Sequence, residues 1–414
     1  MNKYIQDFIR NNSRCLFQGL TKPQTKAITE VIRGFFTAAT PVLRHLAQNP
    51  EKTTKKQAEK YAHHLKNTNL LEKVEEFSLR KVKNEVRKNT IIAYDLTDIN
   101  KEFSKKMAKI AEVFDGSRRK VTNGFLLHGV GVHGILLKLG VHNGSKYTIN
   151  QIRRRIVEKL SKEFKGLGIW VFDRGNDDKA FFKFLRHTLK VQFIARLKAN
   201  RLLCLKKTGA IINLKDLGPG RYTVYLMNKY NTKVDMRHTY TLIIQKHLKN
   251  KKPIRLLAYL KESFSSEQIV NMYLERWGIE NMFKRAKQGF SLEKIRVLDH
   301  QKFVNLIALV QFAVNLCTIS FIAIQKLTHS LISGVLIYYK KFLHLKSLSF
   351  NLTSFISFLQ FSLKPYIYRP QKPPLEQLSL LSRRGLEKLG SFYSLGTRMP
   401  RHTGKDTFIW PPRS

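Results

Sequence analysis

Carboxylates are scarce in this chain of 414 residues: 29 Asp and Glu stand against 75 Lys and Arg, a formal net charge of +46. Charge of one sign at this density opposes a compact state unless a polyanion supplies counter-charge, and nucleic acid is the commonest such partner. Cysteine is scarcer still. Cys15, Cys204 and Cys317 lie far apart with no C-x-x-C pair, which argues against a disulfide framework or a cysteine-based zinc site and fits a reducing cytosol. The opening segment MNKYIQDFIRNNSR has no apolar core of the kind a secretory signal needs, so export is not expected. There is no G-x-S-x-G elbow and no P-loop. Only one long uncharged apolar run occurs, 304–324, and it contains Asn305, Gln311, Asn315, Thr318 and Ser320. Its length meets the criterion for a membrane span, but the polar residues favour a helix buried inside a large fold.

What the chain does have is aromatic and aliphatic content sufficient for one large core or two to three ordinary ones, with 27 Phe and 15 Tyr. Residues 1–88 read as helical: Pro23 suits a first helical turn, and Thr54 with Gln57 resembles a capping box. Such basic helical modules often touch DNA, although a solvated bundle face reads the same way. From Thr90 the texture changes. IIAYDLTD, NGFLLHGV and HGILLKLGV read as strands, NQIRRRIVEKLSKEF as an amphipathic helix, GIWVFDRG as a strand, DDKAFFKFLRHTL as a helix and VQFIARLK as a strand. Three strands, helix, strand, helix, strand is the chain order of a ribonuclease H-like core.

Residues 196–255 hold 15 Lys or Arg against Asp216 and Asp235 alone, on short strands such as IINL, RYTVYLMN and HTYTLIIQKHL. Ser265 and Gln268 offer a cap for a long helix over Ser266 to Gln288. Residues 300–375 contain no carboxylate, and the tail from Tyr366 is rich in Pro and Arg. The fold class read from this is α/β, with a basic β-rich stretch and helical N- and C-terminal flanks. The corresponding divisions are 1–88, 89–197 for the first part of the core, 198–255 for the insertion, 256–330 for the second part, and a basic C-terminal region, 331–414.

Two apolar strands end in an aspartate, Asp95 in IIAYDLTD and Asp173 in IWVFDRG. Strand-end carboxylates can simply cap the next turn. Two of the few acids at the ends of adjacent strands are better explained by a shared hard cation, since Mg²⁺ takes oxygen ligands. A third ligand is needed, and Glu280 is placed to supply it. At about 100° per residue Tyr273, Arg276, Glu280 and Lys287 fall within an arc of roughly 60°, spread over about 21 Å of helix. Met272, Ile279, Met282, Phe283 and Ala286 occupy the neighbouring arc, the one to be buried. Taken alone, the polar arc could be ion-pair decoration, because Glu280 and Lys284 are spaced as helix partners.

The spacing of Tyr273, Arg276, Glu280 and Lys287 resembles the Tyr-Arg-Glu-Lys signature of a large group of bacterial insertion-sequence transposases with a DDE active site. D-x-T at Asp95, Asp173-Arg174-Gly175 and FIARLKANR stand in the same order, and the likeness covers about residues 88 to 300. The resemblance implies a ribonuclease H-like fold, its mixed sheet interrupted by the basic β-rich stretch as an insertion, and a two-metal site for Mg²⁺ or Mn²⁺ held by Asp95, Asp173 and Glu280. It implies DNA contacts from Tyr273, Arg276 and Lys287, with Arg174 and Lys284 beside them. Transposon ends and target DNA would be the partners, the synaptic complex a homodimer, and the location the bacterial cytoplasm at the nucleoid, with no membrane. The rival reading is a catalytically inactive DNA-binding protein derived from a mobile element. In some relatives an insertion tryptophan stacks on a flipped base; Trp170, Trp277 and Trp410 all lie outside the insertion, where Tyr222, Tyr225 or Tyr230 could stack instead.

Other signals are weaker. Gly129, Gly131 and Gly134 satisfy G-x-G-x-x-G, yet the apolar ILLKLGV directly after them reads as strand, which favours a hairpin turn over a dinucleotide site. Asp98, Asp177 and Asp178 read as caps. His128 and His133 could flank a metal, but core or surface roles are commoner.

Overall fold

The structure is a computed structural model that describes residues 2–47, 53–116, 118–228, 230–245 and 253–339. It opens with α1 (Asn2–Ser13), α2 (Lys22–Ala38), α3 (Leu43–Leu46), α4 (Thr54–Lys66) and α5 (Leu71–Val82). A capping box starts α2: the Thr21 hydroxyl accepts from the Gln24 amide and the Gln24 side chain accepts from the Thr21 amide, with Pro23 in the first turn. The box expected at Thr54 and Gln57 does not form. Thr53 takes the N-cap position, and Gln57 is buried, donating to Glu30 Oε2 at 2.6 Å and to the Tyr61 hydroxyl at 3.0 Å. Glu30 of α2 and Tyr61 one turn on outcompete the cap.

The next elements are β1 (Ile91–Asn100), β2 (Ala111–Asp115), β3 (Lys120–Val132), β4 (Ile135–Val141), α6 (Ile149–Glu163), β5 (Ile169–Phe172), α7 (Lys179–Lys183) and β6 (Gln192–Arg196). Four strands, not three, precede α6. The unforeseen one, β2, buries Asp115 where alternation calls for an apolar residue, and that carboxylate is held by the Asn100 side chain at 2.8 Å. β1 and β5 are parallel, as are β5 and β6, while β3 runs antiparallel to β1 on one edge and to β2 and β4 on the other. The order β4-β3-β1-β5-β6 with this mixture of directions is consistent with a ribonuclease H-like core.

β7 (Leu202–Leu205), β8 (Ile211–Asn213), β9 (Gly220–Met227), β10 (Val234–Gln245) and β11 (Ile254–Tyr259) come next. These strands do not form a layer of their own. They continue the same sheet in the order β6-β11-β10-β9-β7-β8, all antiparallel, and β11 crosses the division expected at 255.

Three helices complete the described residues: α8 (Ser266–Leu274), α9 (Trp277–Lys284) and α10 (His300–Tyr339). Ser265 and Gln268 cap α8 as the spacing indicates. The single helix expected to Gln288 is broken. Arg276, Gly278 and Ile279 donate backbone bonds to Tyr273, Glu275 and Arg276, each three residues back, which tightens the chain between α8 and α9. Beyond Lys284 the turn widens over Arg285–Gly289.

Alternation along the strands fills both faces of the sheet. Ile92, Tyr94, Trp170 and Phe172 point into a core with Ile156 and Val157 of α6, Phe164 just after it, and Phe181 of α7. Ala93, Phe125 and Leu127 point the other way, into a core built from α2, α4, α5, α9 and α10. Ile169, Val171 and Leu256 pack on Ile269 and Tyr273 of α8. The segment His300–Ala323 is long and apolar enough to cross a membrane, but 72% of its apolar window is buried inside the fold. Its polar side chains explain the burial: Asn305 donates to the Leu65 and Thr68 carbonyls and accepts from the Leu70 amide, and Asn315 accepts from and donates to the Leu136 backbone at 2.8 Å. It serves as a core helix. Residues 246–252 of the basic insertion and 340–414 of the C-terminal region lie outside the described residues.

Candidate active site

The last parallel pair between β1 and β5 is Tyr94 opposite Phe172, so the next residue on each strand is an aspartate, Asp95 and Asp173. Asp95 does not end its strand. It sits mid-way along β1, which continues to Asn100 because β3 accompanies it on the other edge. Only the pairing with β5 stops, and the two aspartates follow in register where the strands part, close enough for the charge of one to act on the other. Burial, and after it the charge of Asp173, pushes the Asp95 carboxyl up to about 7 against the opposing pull of Arg276. A part-buried carboxylate pair with too little counter-charge is the environment that a hard divalent cation relieves.

Arg276, at the joint between α8 and α9, reaches this pair. Its Nη1 donates to Asp95 Oδ2 at 2.6 Å and its Nη2 to Glu280 Oε1 at 2.6 Å. Burial opposes the guanidinium charge, but Asp95, Tyr273 and Glu280 together outweigh it and raise the arginine's pKa. Tyr273 is buried beside it. Glu280 is 52% exposed, Lys284 and Arg174 are exposed, and Lys287 turns away to Asp98 at 3.6 Å and Glu293 at 3.2 Å. The four residues expected in one polar row are therefore divided. Tyr273, Arg276 and Glu280 gather at Asp95, and the break before α9 and the widened turn after it put Lys287 elsewhere. Ile279, Met282, Phe283 and Ala286 are buried as their arc indicates, with Met272 half-buried.

Two supports of this site escaped sequence reasoning. Arg153 of α6 is buried, stacks 3.8 Å over the Phe181 ring, and donates to Asn176 Oδ1 at 2.9 Å; Asn176 in turn donates to Asp173 Oδ1. The signal was present: Arg153 lies on the same helical stripe as Ile156, Val157 and Leu160. The second support is glycine. Gly129 is the β3 partner of Asp95 and Gly131 that of Ala93; a Cβ at Gly129 would collide with the Phe283 ring of α9, and one at Gly131 would press on the flexible end of Met282. These glycines let the Glu280 helix lie close on the sheet.

G-x-G-x-x-G thus ends as a strand and a hairpin, with His133 and Gly134 both at positive φ in the β3–β4 turn. His128 is buried between the Tyr94 hydroxyl and His142, and burial pushes it down to about 3, so it stays neutral. Asp178 caps α7, Asp177 holds Arg201 and the Lys198 amide, and Asp98 pairs with Lys287. Trp170 is buried and Trp277 exposed; Trp410 lies outside the described residues. In the insertion Tyr222 and Tyr225 are half-buried and Tyr230 is exposed.

Among the described residues no three His, Cys, Asp or Glu side chains converge as a formed metal site. Asp95, Asp173 and Glu280 carry oxygens of the kind a hard cation takes, and in this structure Arg276 engages Asp95 Oδ2 and Glu280 Oε1. No curated protein matches the chain. The model of the transposase DDE domain matches residues 86–316, more than half of the sequence, spanning β1 to the buried part of α10 and both aspartates, Arg276 and Glu280. The chain belongs to the transposase DDE domain family.

Proposed function

We propose that this chain is the transposase of a bacterial insertion element, in the group with the Tyr-Arg-Glu-Lys signature, which binds the element's ends and carries out cut-and-paste transposition. The observation that carries the reading is the part-buried Asp95–Asp173 pair with Glu280 joined to it through Arg276. In this reading Asp95, Asp173 and Glu280 hold two Mg²⁺ or Mn²⁺ ions. When bound, such ions lower the pKa of an attacking water or 3′-hydroxyl and stabilise the leaving oxygen of a phosphodiester.

The remaining work falls to the protein. Arg276 presents a planar fork to a backbone phosphate, Tyr273 a hydroxyl, and Lys287, Lys284 and Arg174 point charges along the strand. Asn176 and Arg153 orient Asp173, and Gly129 sets the height of Glu280 above the sheet. The basic strands of 198–255 and the helical segment 1–88 supply the sequence-independent grip on DNA. Two copies act together at paired element ends, in the cytoplasm at the nucleoid.

The test is a duplex carrying the inverted repeats that bound the reading frame, incubated with the full chain and Mg²⁺. Strand cleavage at the repeat ends that EDTA abolishes supports the reading. Tight binding with no cleavage in either Mg²⁺ or Mn²⁺ would replace it with an inactive DNA-binding relic.

A further inference from the structure

The arrangement of Arg276 bears on when the site can take up its ions. Both oxygens of Asp95 are engaged: Oδ1 accepts from the Leu96 amide at 2.9 Å and Oδ2 from Arg276 at 2.6 Å. The other Nη of the same guanidinium holds Glu280 at 2.6 Å. One side chain, 8% exposed, thus occupies oxygens of two of the three candidate ligands. A guanidinium and a divalent cation cannot share those lone pairs at full strength, because both require the ionised carboxylates at close range.

The closed arrangement is also incompletely satisfied. Arg276 Nε and the Tyr273 hydroxyl are buried without an acceptor, and the arginine's Cζ lies 5.8 Å from the tyrosine ring centre. Buried donors left unpaired are a standing penalty on this conformation. An acceptor with several oxygens, such as a phosphodiester, would satisfy both. The backbone is suited to the change, since Arg276 stands at the tightened joint between α8 and α9 rather than inside a regular helix. Its other anchor, Glu280, is half exposed and free to turn.

Resting on the proposed assignment of Asp95 and Glu280 as ligands, we propose that Arg276 couples DNA binding to metal binding. Without DNA its guanidinium holds the ligand oxygens closed; a backbone phosphate draws it away and releases them. The protein then assembles its cleavage site only on nucleic acid. Coupling of this kind is reciprocal, so a divalent cation tightens DNA binding by the same factor.

The test titrates the DNA-free full chain with Mn²⁺ alone, reading free Mn²⁺ by electron paramagnetic resonance. Arg276→Gln and Arg276→Met should bind Mn²⁺ about tenfold or more tightly than the wild type, within the range usual for coupled sites. Arg276→Met keeps the buried stem and carries the test if Arg276→Gln does not fold. Correctly folded variants that bind Mn²⁺ no better than the wild type overturn the proposal. Adding Asp95→Asn to Arg276→Met should remove the gain; if it does not, the ion sits elsewhere and the ligand assignment itself has failed, a different result from failure of the coupling. Finally, Ca²⁺ should tighten a short labelled duplex on the wild type more than on Arg276→Met. Equal tightening overturns the coupling.

Discussion

Gly129→Ala isolates the packing that places Glu280 over Asp95. The added methyl would stand less than 3.0 Å from two carbons of the Phe283 ring and 3.4 Å from Ile279 Cδ1. Ordinary carbon contacts begin near ~3.5 Å, so the ring, or the helix carrying it, must retreat by more than roughly 0.5 Å. Overpacking of this kind costs about 1–3 kcal/mol. Phe283 and Glu280 share α9, so the displacement reaches the carboxylate as well as the core. A misplacement of about 1 Å can lower a rate by about 10²-fold. The assay pairs urea denaturation with Mg²⁺-dependent strand cleavage. Gly129→Ala should lose stability and, at temperatures where it stays folded, lose cleavage by a larger factor than the fraction unfolded explains. Phe283→Leu, which removes the ring tip, should recover part of both losses in the double variant. A Gly129→Ala protein within about 0.5 kcal/mol of the wild type and cleaving normally would refute the reasoning, since surface changes fall in that range.

Two further outcomes rest on the same geometry. Asn176→Ala removes the donor to Asp173 and should weaken Mn²⁺ affinity by about 10- to 100-fold, as loss of an outer partner does; unchanged affinity would show that Asp173 needs no such support. The Asp95 carboxyl, pushed up to about 7, binds its proton more tightly folded than unfolded, where the value is about 3.9. Its contribution to stability is therefore complete below about pH 4 and is lost as pH rises through about 7 in EDTA. Asp95→Asn should flatten that part of the profile measured by urea denaturation from pH 5 to 8, and an identical slope in both proteins would contradict it.

Much of the central core was legible because its strands are buried on both faces and so read as continuous apolar runs, IIAYD and GIWVFD among them. The aspartates that close those runs could be paired from the strand order alone. β2 was invisible because Asp115 takes a buried position, held by the Asn100 side chain from β1 as well as by the local Arg118 amide. The break at Arg276 was equally hidden. A uniform wheel puts Tyr273, Arg276, Glu280 and Lys287 in one row, whereas the chain tightens at Arg276 and widens after Lys284. Gly129 and Gly131 showed the converse: a motif with a familiar nucleotide-binding spacing is present because α9 needs the space. Arg153 carried a signal in its helical phase, masked by the flanking Arg154 and Arg155.

The most direct test of the account is strand cleavage at the element's end by Asp95→Asn, Asp173→Asn and Glu280→Gln, each assayed with Mg²⁺ and with Mn²⁺ beside a DNA-binding measurement. All three should still bind the repeat-bearing duplex, matching the wild type in EDTA, and cut it in neither metal. Normal cleavage by any one of them would remove that residue from the site, and normal cleavage by all three would contradict the assignment.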